Sequence, residues 1–451
     1  MTLASIILAA GEGTRMRSKL PKVLHPVAGK PMIRYAQEAV ANLVDVPPVL
    51  VVGHGAEAVK AAVGDGADYA LQAQQLGTGH AVLMAKPLLL GKADLILVTY
   101  GDMPLLRGET LEKLVQLHKQ SGGPVTMTSF IGDEARGFGR VVRAESGHVT
   151  AIVEQADATP EQLAIREYNV GAYCFSGDWL WSALGEIPVS PKGEYYLTDL
   201  VGLAVTAGFA LESLVLDDPD EAIGLNTRVH LAEAEKVMRK RINESWMLAG
   251  VTILDPATTY IEADVRIGVD SLILPNTTLR GQTVIGEDCE IGPDTILIDT
   301  QVGDHVQLLA SVLEQAQVAD HVTMGPYCHL RKGAILDEGV HLGNFGEVKD
   351  SYLGPGTKMG HFSYIGNAKI GRDVNIGAGT ITCNYDGERK NLTEIGDEVF
   401  IGSDTMLVAP LKIGDRSVTG AGSVVTHDVP EDTLVIGVPA KEVRKLEKND
   451  Q

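Results

Sequence analysis

The sequence predicts three parts in order: an α/β domain of Rossmann-like type, a connecting α-helix, and a left-handed parallel β-helix of hexapeptide repeats. Three observations carry this. Short aliphatic runs alternate with helical spacing over residues 1–225, apolar residues recur three and four apart over 226–249, and aliphatic residues recur every six over 250–451.

In the first part, the runs ASIILAAG, PVLVVGHG, ADLILVTYGD and GPVTMTSF are separated by helical patterns such as Gly79–Leu90 and Gly108–Gln120. That alternation reads as βαβ units around a mainly parallel sheet, whose ligands bind at the carboxyl ends of the strands. In the second part, Leu231, Ala234, Met238 and Ile242 share one helical face, and Gly250 stands where a C-terminal cap belongs. In the third, Ile267, Ile273, Leu279, Ile285, Ile291 and Leu297 lie six apart, as do Val306, Val312, Val318, Met324 and Leu330, and Ile395, Ile401, Leu407 and Ile413. A parallel β-helix has that period, with the repeated aliphatic inside and a small residue at each turn. The period slips at Leu342–Lys349 and at Thr382–Glu394. Extra residues leave such a coil as loops, so a loop is expected at each slip.

Composition narrows the function. The 451 residues include 38 Lys+Arg against 59 Asp+Glu, a formal net charge of −21. A field of that sign repels nucleic acid and anionic lipid, so a small phosphorylated ligand needs a locally basic site. The longest uncharged apolar run, Leu3–Gly11, is about half of a membrane span, and a cytoplasmic protein without membrane contact is expected. Cys174, Cys289, Cys328 and Cys383 form no CxxC pair and no zinc spacing, which fits a reducing compartment.

The string Leu8–Lys22, LAAGEGTRMRSKLPK, directly follows the first predicted strand. Gly11 and Gly13 let backbone N–H groups approach phosphate oxygens, and Arg15, Lys19 and Lys22 add positive charge. It is not a P-loop, because the GK[ST] ending is absent, and Met16 stands where GxGxxG requires its third glycine. The pattern L-A-A-G-x-G-T-R-M-x4-P-K resembles the sugar-phosphate nucleotidyltransferase family. With the hexapeptide half included, nearly the whole chain resembles the bacterial family of bifunctional N-acetylglucosamine-1-phosphate uridyltransferases / glucosamine-1-phosphate N-acetyltransferases.

That resemblance implies acetyl transfer from acetyl-CoA to glucosamine 1-phosphate, then uridyl transfer from UTP to N-acetylglucosamine 1-phosphate with Mg²⁺ and release of pyrophosphate. The product, UDP-N-acetylglucosamine, feeds cell-wall precursors. In the first site the resemblance implies Asp102 and Asn226 as metal ligands, with Arg15 and Lys22 offsetting charge at the α-phosphorus. Leu8, Ala9, Gly11, Gly13, Tyr100 and Gly101 match nucleotide contacts, and Gln72, Gly77 and Thr78 match the uracil-reading segment. Gly139, Glu154 and Asn169, with Tyr196–Thr198, match the sugar pocket. Read without the family, Asp102 also suits a turn cap before Pro104 and Asn226 suits the N-cap of the connecting helix.

In the β-helix half, His361 is the general base that acetylation of an amine asks for, and Glu347 is the group expected to orient it. Arg331 and Lys349 supply cations for a sugar phosphate, and Tyr364 and Asn375 suit its hydroxyls. By resemblance Asn384 and Tyr385 contact acetyl-CoA, the Asn384 amide also facing a tetrahedral oxyanion. Ala378, Ser403 and Ala421 match further coenzyme A contacts. The resemblance also implies a homotrimer formed through the β-helix. Lys332 follows Arg331 where some relatives carry Pro, and the charged segment from Lys441 onward matches no coenzyme contact. Two other readings fit parts of the chain: a single-activity nucleotidyltransferase with a structural β-helix, and a non-enzymatic β-helical platform carrying a degenerate nucleotide-binding domain.

Overall fold

The computed structural model describes residues 1–155 and 157–445. They form two compact units, Met1–Met238 and Arg239–Gln451. Among the described residues, no helix is long and apolar enough to cross a membrane. The four cysteines are free, three of them buried.

The first unit is built on a sheet whose main path runs Ser213–Val215, Val125–Ile131, Glu167–Ser176, Leu95–Tyr100, Leu3–Ala9, Val49–Val52, Asp68–Leu71. All neighbours on this path pair in parallel except Glu167–Ser176, which is antiparallel to both of its partners. Leu3–Ala9 is buried along its whole length, as a central strand covered on both faces must be. Its carboxyl end and that of Leu95–Tyr100 are paired side by side, Leu8 opposite Tyr100, and the chain leaves both into the loops that carry the Gly-rich string and Asp102. Helix Gly108–Ser121 matches its predicted span. The predicted stretch Gly79–Leu90 is instead two short helices, Thr78–Met84 and Lys86–Leu89, because Pro87 has no N–H to continue the ladder.

The connecting helix spans Arg228–Leu248, and the division between the two units falls inside it. Ala234 and Met238 are buried in the first unit, whereas Ile242 and Trp246 pack on the core of the second. Thr227 precedes the first turn and its hydroxyl accepts from the His230 N–H at 3.3 Å, so Thr227 is the N-cap. Gly250 ends the helix in the left-handed region at φ 97°, as expected of a C-terminal cap.

The second unit is a parallel β-helix whose coils stack into sheets of 12, 10 and 9 strands. Most of the short strands send an aliphatic side chain inward, with Thr382 and Thr419 taking that place in two of them. Ile267, Ile273, Leu279, Ile285, Ile291 and Leu297 are all interior, as are Ile395, Ile401, Leu407 and Ile413. In the middle run Val306, Val318, Met324 and Leu330 are interior as predicted, but Val312 is only half-buried and Leu313 takes the inward position. These coils take some five-residue steps, so a strict count of six reads the wrong phase there. At Leu342–Lys349 the expected loop is absent: the chain forms the strand Gly346–Lys349. At the second slip a loop does emerge, Asn384–Leu392, between strands Ile381–Cys383 and Thr393–Ile395. Strand Ala440–Lys445 folds back antiparallel on Thr433–Gly437, and the remainder of the charged segment from Lys441 onward lies outside the described residues.

Leu330, fully buried in the coil below the loop-bearing face, tests this packing. Leu330→Ala should cost about 2–5 kcal/mol, measured as a lower urea midpoint for the second unit. A loss below roughly 1 kcal/mol would mean that the stacked coils close over the gap.

Candidate functional site

The first candidate site is a cleft of two adjoining cavities of about 470 and 460 Å³ that share Arg15, Thr78, Tyr100, Asp102, Glu194 and Tyr196. Leu8, Ala9, Gly11, Lys22, Gln72 and Gly77 line one lobe. Gly139, Glu154, Asn169, Thr198 and Asn226 line the other. Among the predicted residues, Gly13, Lys19, Gly101 and Leu197 do not line it. Gly101 gives its N–H to the Leu8 carbonyl at 2.9 Å. Gly13, at φ 64°, sits where a Cβ would lie 2.5 Å from the Lys22 Cβ, so its service is to let the Lys22 stem pass.

At the junction of the lobes, four groups converge. The Lys22 ammonium pairs with the Asp102 carboxylate and also donates to Asn226 Oδ1 at 2.9 Å. Arg15 Nη2 donates to the same oxygen at 2.8 Å. Asp102 therefore does not act as a turn cap through its side chain. Nor is Asn226 the helix cap, since Thr227 holds that place. The Leu225 N–H donates to the Asp102 carbonyl at 3.0 Å, which brings Asn226 beside Asp102. The carboxylate and the amide oxygen already share one cation, and both are hard oxygen donors. Among the described residues no group of three His, Cys, Asp or Glu could hold a metal. Two protein oxygens fit Mg²⁺ bound mostly by phosphate and water, which is how that ion is usually held beside a nucleotide.

The walls are held by exchanges between distant segments. Gln72 Nε2 donates to the Gly77 carbonyl at 3.0 Å, and the Leu197 N–H donates to Thr78 Oγ1 at 2.9 Å. Gly77, at φ 95°, lies where a Cβ would meet the Tyr195 carbonyl at 2.6 Å. Asn169 sits at an irregularity in its strand, its Nδ2 donating to Tyr173 Oη at 2.7 Å and its Oδ1 accepting from the Gly171 N–H at 3.2 Å. Burial raises the pKa of Tyr100 far above its ordinary value, with Asp102 and Glu154 adding to the shift, so its phenol stays neutral. Burial also raises the pKa of Glu154, with the Thr198 hydroxyl at 3.4 Å partly offsetting it. Gln75 and Glu194 were not predicted; Gln75 Nε2 donates to the Ala10 carbonyl at 2.9 Å and closes the floor of the phosphate loop.

The second candidate site lies on the β-helix. Turns Gly360–Phe362, Gly377–Gly379, Gly402–Asp404 and Gly420–Gly422 each follow a strand of the 12-stranded sheet. They stack coil on coil, linked by Gly379 N–H to Phe362 O, Asp404 N–H to Ala378 O and Gly422 N–H to Ser403 O. His361, Ala378, Ser403 and Ala421 thus form one column. Around the corner, on the 10-stranded sheet, Glu347 is paired in register with Tyr364, and the Arg331 N–H donates to the Val348 carbonyl at 2.9 Å. Asn375 stands on the 12-stranded face between Lys358 and Phe400, away from Tyr364's face.

Glu347 differs from its predicted role. Its carboxylate accepts from Arg331 Nη1 at 2.9 Å, and among the described residues no side-chain hydrogen bond holds the exposed His361. Asn384 is buried and donates through Nδ2 to Asn367 Oδ1 at 2.7 Å, at the root of the emergent loop. Asp386 shapes that loop. The N–H of Arg389, the Asn391 amide and the N–H of Glu388 all donate to its carboxylate and hold its pKa down at about 2. Tyr385 and Lys390 face each other across the turn. Lys390 is the residue the sequence reading missed. Its ammonium lies against Lys349 and lowers that lysine's pKa, Arg331 adding to the effect. Three cations therefore crowd one exposed spot.

A family model of a MobA-like NTP transferase domain matches residues 5–179, and one of bacterial transferase hexapeptide repeats matches residues 392–427. The chain is 47% identical to the "Bifunctional protein GlmU" of Heliobacterium modesticaldum, over 96% of this chain and 94% of that one. It is also 47% identical to proteins of the same name from Exiguobacterium sibiricum, over 96% of both chains, and Streptococcus agalactiae serotype V, over 97% of this chain and 95% of that one.

The raised Glu154 pKa has a testable sign. An acid whose pKa is higher folded than unfolded weakens the fold as pH rises and it ionises. Glu154→Gln should raise Tm at pH 7.5 and leave it nearly unchanged at about pH 3, where the carboxyl is protonated in both states. An equal gain at both values would place the effect elsewhere.

Proposed function

The chain belongs to the family of bifunctional GlmU proteins, and we propose that it carries out two transfers at two separate sites. The β-helix moves acetyl from acetyl-CoA to glucosamine 1-phosphate. The α/β unit then joins N-acetylglucosamine 1-phosphate to UMP from UTP, giving UDP-N-acetylglucosamine. One observation carries the reading: a chain of net charge −21 gathers cations at two places, Arg15 and Lys22 beside Asp102 and Asn226, and Arg331, Lys349 and Lys390 on the β-helix. Each is a site for a phosphorylated ligand in a protein whose overall field opposes one.

In the first site a phosphate oxygen of the sugar phosphate attacks the α-phosphorus, the new P–O bond forms in line, and pyrophosphate departs. No general base is needed, because a phosphate monoester is already a nucleophile. Arg15 and Lys22 face the charge that develops on the phosphorus oxygens. Asp102 and Asn226 would hold Mg²⁺, which supplies further charge neutralisation when bound. Gln72, Gly77 and Thr78 read the base edge, and the half-buried Glu154, the buried Asn169 and the neutral Tyr100 accept and donate to sugar hydroxyls and the acetamido group.

In the second site Arg331, Lys349 and Lys390 bind the phosphate and Tyr364 a hydroxyl. His361 removes the amine proton as nitrogen attacks the thioester carbonyl, the C–S bond then breaks, and the proton passes to the coenzyme thiolate. The column of Ala378, Ser403 and Ala421 runs from His361 along a line of small residues that admits the pantetheine arm. The Asn384 amide supports the oxyanion, and Arg331 spends its guanidinium partly on Glu347, which fixes it for the phosphate. Free cysteines and the exposed apolar turns at Tyr327, Phe345 and Phe362 support a cytoplasmic trimer packed through the β-helix.

Asp102→Asn should abolish uridyl transfer and leave acetyl transfer intact, while His361→Ala should cut acetyl transfer roughly 10²–10⁴-fold and spare uridyl transfer. Both rates are read by mass spectrometry of the products. Parallel loss of both activities in either variant would contradict separate sites.

A further inference from the structure

We propose that, before nucleotide binds, the Lys22 ammonium occupies the cation position that Asp102 and Asn226 offer to a divalent ion, so that nucleotide phosphate must draw Lys22 away before the ion enters. The inference rests on the reading of Asp102 and Asn226 as metal ligands. Lys22 pairs with the carboxylate and donates at 2.9 Å to Asn226 Oδ1, the two oxygens the ion would use. The Lys22 and Asp102 side chains are 14% and 18% exposed, so the pair is largely withdrawn from water and is not a loose surface contact. Arg15 takes a second lone pair of Asn226 Oδ1. Gly13 leaves the Lys22 stem room to lie here, since a Cβ at that position would fall 2.5 Å from the Lys22 Cβ. When nucleotide arrives, its phosphate oxygens offer the ammonium a richer partner than one carboxylate.

Binding of the ion and of UTP is therefore reciprocal: each raises the affinity of the other, because each removes what blocks the other. Lys22 works as a placeholder that keeps the two ligand oxygens aligned and neutralised in the empty site. It also makes an encounter with metal alone unproductive.

The test uses Mn²⁺ as a spectroscopic probe on the full-length protein, with bound and free ion distinguished by electron paramagnetic resonance. Nucleotide-free wild type should bind Mn²⁺ weakly at the first site, and UTP should tighten it. Nucleotide-free Lys22→Met should bind Mn²⁺ at least tenfold more tightly than wild type, and adding Asp102→Asn should remove that gain. Arg15→Met deletes the same charge without touching Asp102 and should give a clearly smaller gain. Equal gains from Lys22→Met and Arg15→Met would reduce the effect to bulk electrostatics and overturn the proposal, as would no gain in a Lys22→Met protein whose melting curve shows it folded. If Asp102→Asn leaves the UTP-dependent Mn²⁺ signal of wild type unchanged, the ligand reading itself fails. If that signal is lost while Lys22→Met gains nothing, only the placeholder fails.

Discussion

The second unit depends on one constraint: each coil must bury a side chain, nearly always aliphatic, on each face and close its corner within about six residues. Side chains at equivalent corners then fall into columns at the spacing of paired strands, about 4.8 Å. His361, Ala378, Ser403 and Ala421 owe their alignment to this repetition, since they sit far apart in sequence and no contact other than stacking brings them together. Where the register takes in more residues than a corner can hold, the surplus leaves as the Asn384–Leu392 loop, and Lys390 is delivered to Lys349 by that departure. The proposed acetyl site is in this sense a by-product of how the scaffold closes.

The first unit solves a different problem with the same means. Two adjacent parallel strands end together at Leu8 and Tyr100, and the loops leaving them carry opposite charges to one junction. Lys22 and Arg15 come from the loop after the first strand, Asp102 from the loop after Leu95–Tyr100, and Asn226 from the start of the connecting helix, where Thr227 does the capping and leaves the Asn226 amide free for the site. In an acidic protein this junction and the Arg331–Lys349–Lys390 cluster are the two places proposed above to meet the anions of the substrates with fixed positive charge.

Much of this was legible in the sequence. The alternation of aliphatic runs, the Leu8–Lys22 string and the six-residue period located the sheet, a loop that lines the cleft and the β-helix. The failures have physical causes. Val312 was assigned inward because five-residue steps shift the phase, and only the stacked register shows Leu313 in its place. Glu347 was given to His361 because the two are close in the repeat, whereas the nearer cation, Arg331, takes the carboxylate. Lys390 carried no periodic signal at all, since it lies in a polar insertion whose direction depends on the Asp386 turn. Gly13 and Gly101 were read as ligand contacts, yet what they do is make room for Lys22 and bond to Leu8, roles visible only once side chains are packed.

The most direct test of the whole account is to give the purified protein acetyl-CoA, glucosamine 1-phosphate, UTP and Mg²⁺ together and follow the products by mass. The account predicts coenzyme A and a transient N-acetylglucosamine 1-phosphate, followed by UDP-N-acetylglucosamine and pyrophosphate. If a UDP-sugar forms only when already acetylated sugar phosphate is supplied, the β-helix is a scaffold and the two-site account is wrong.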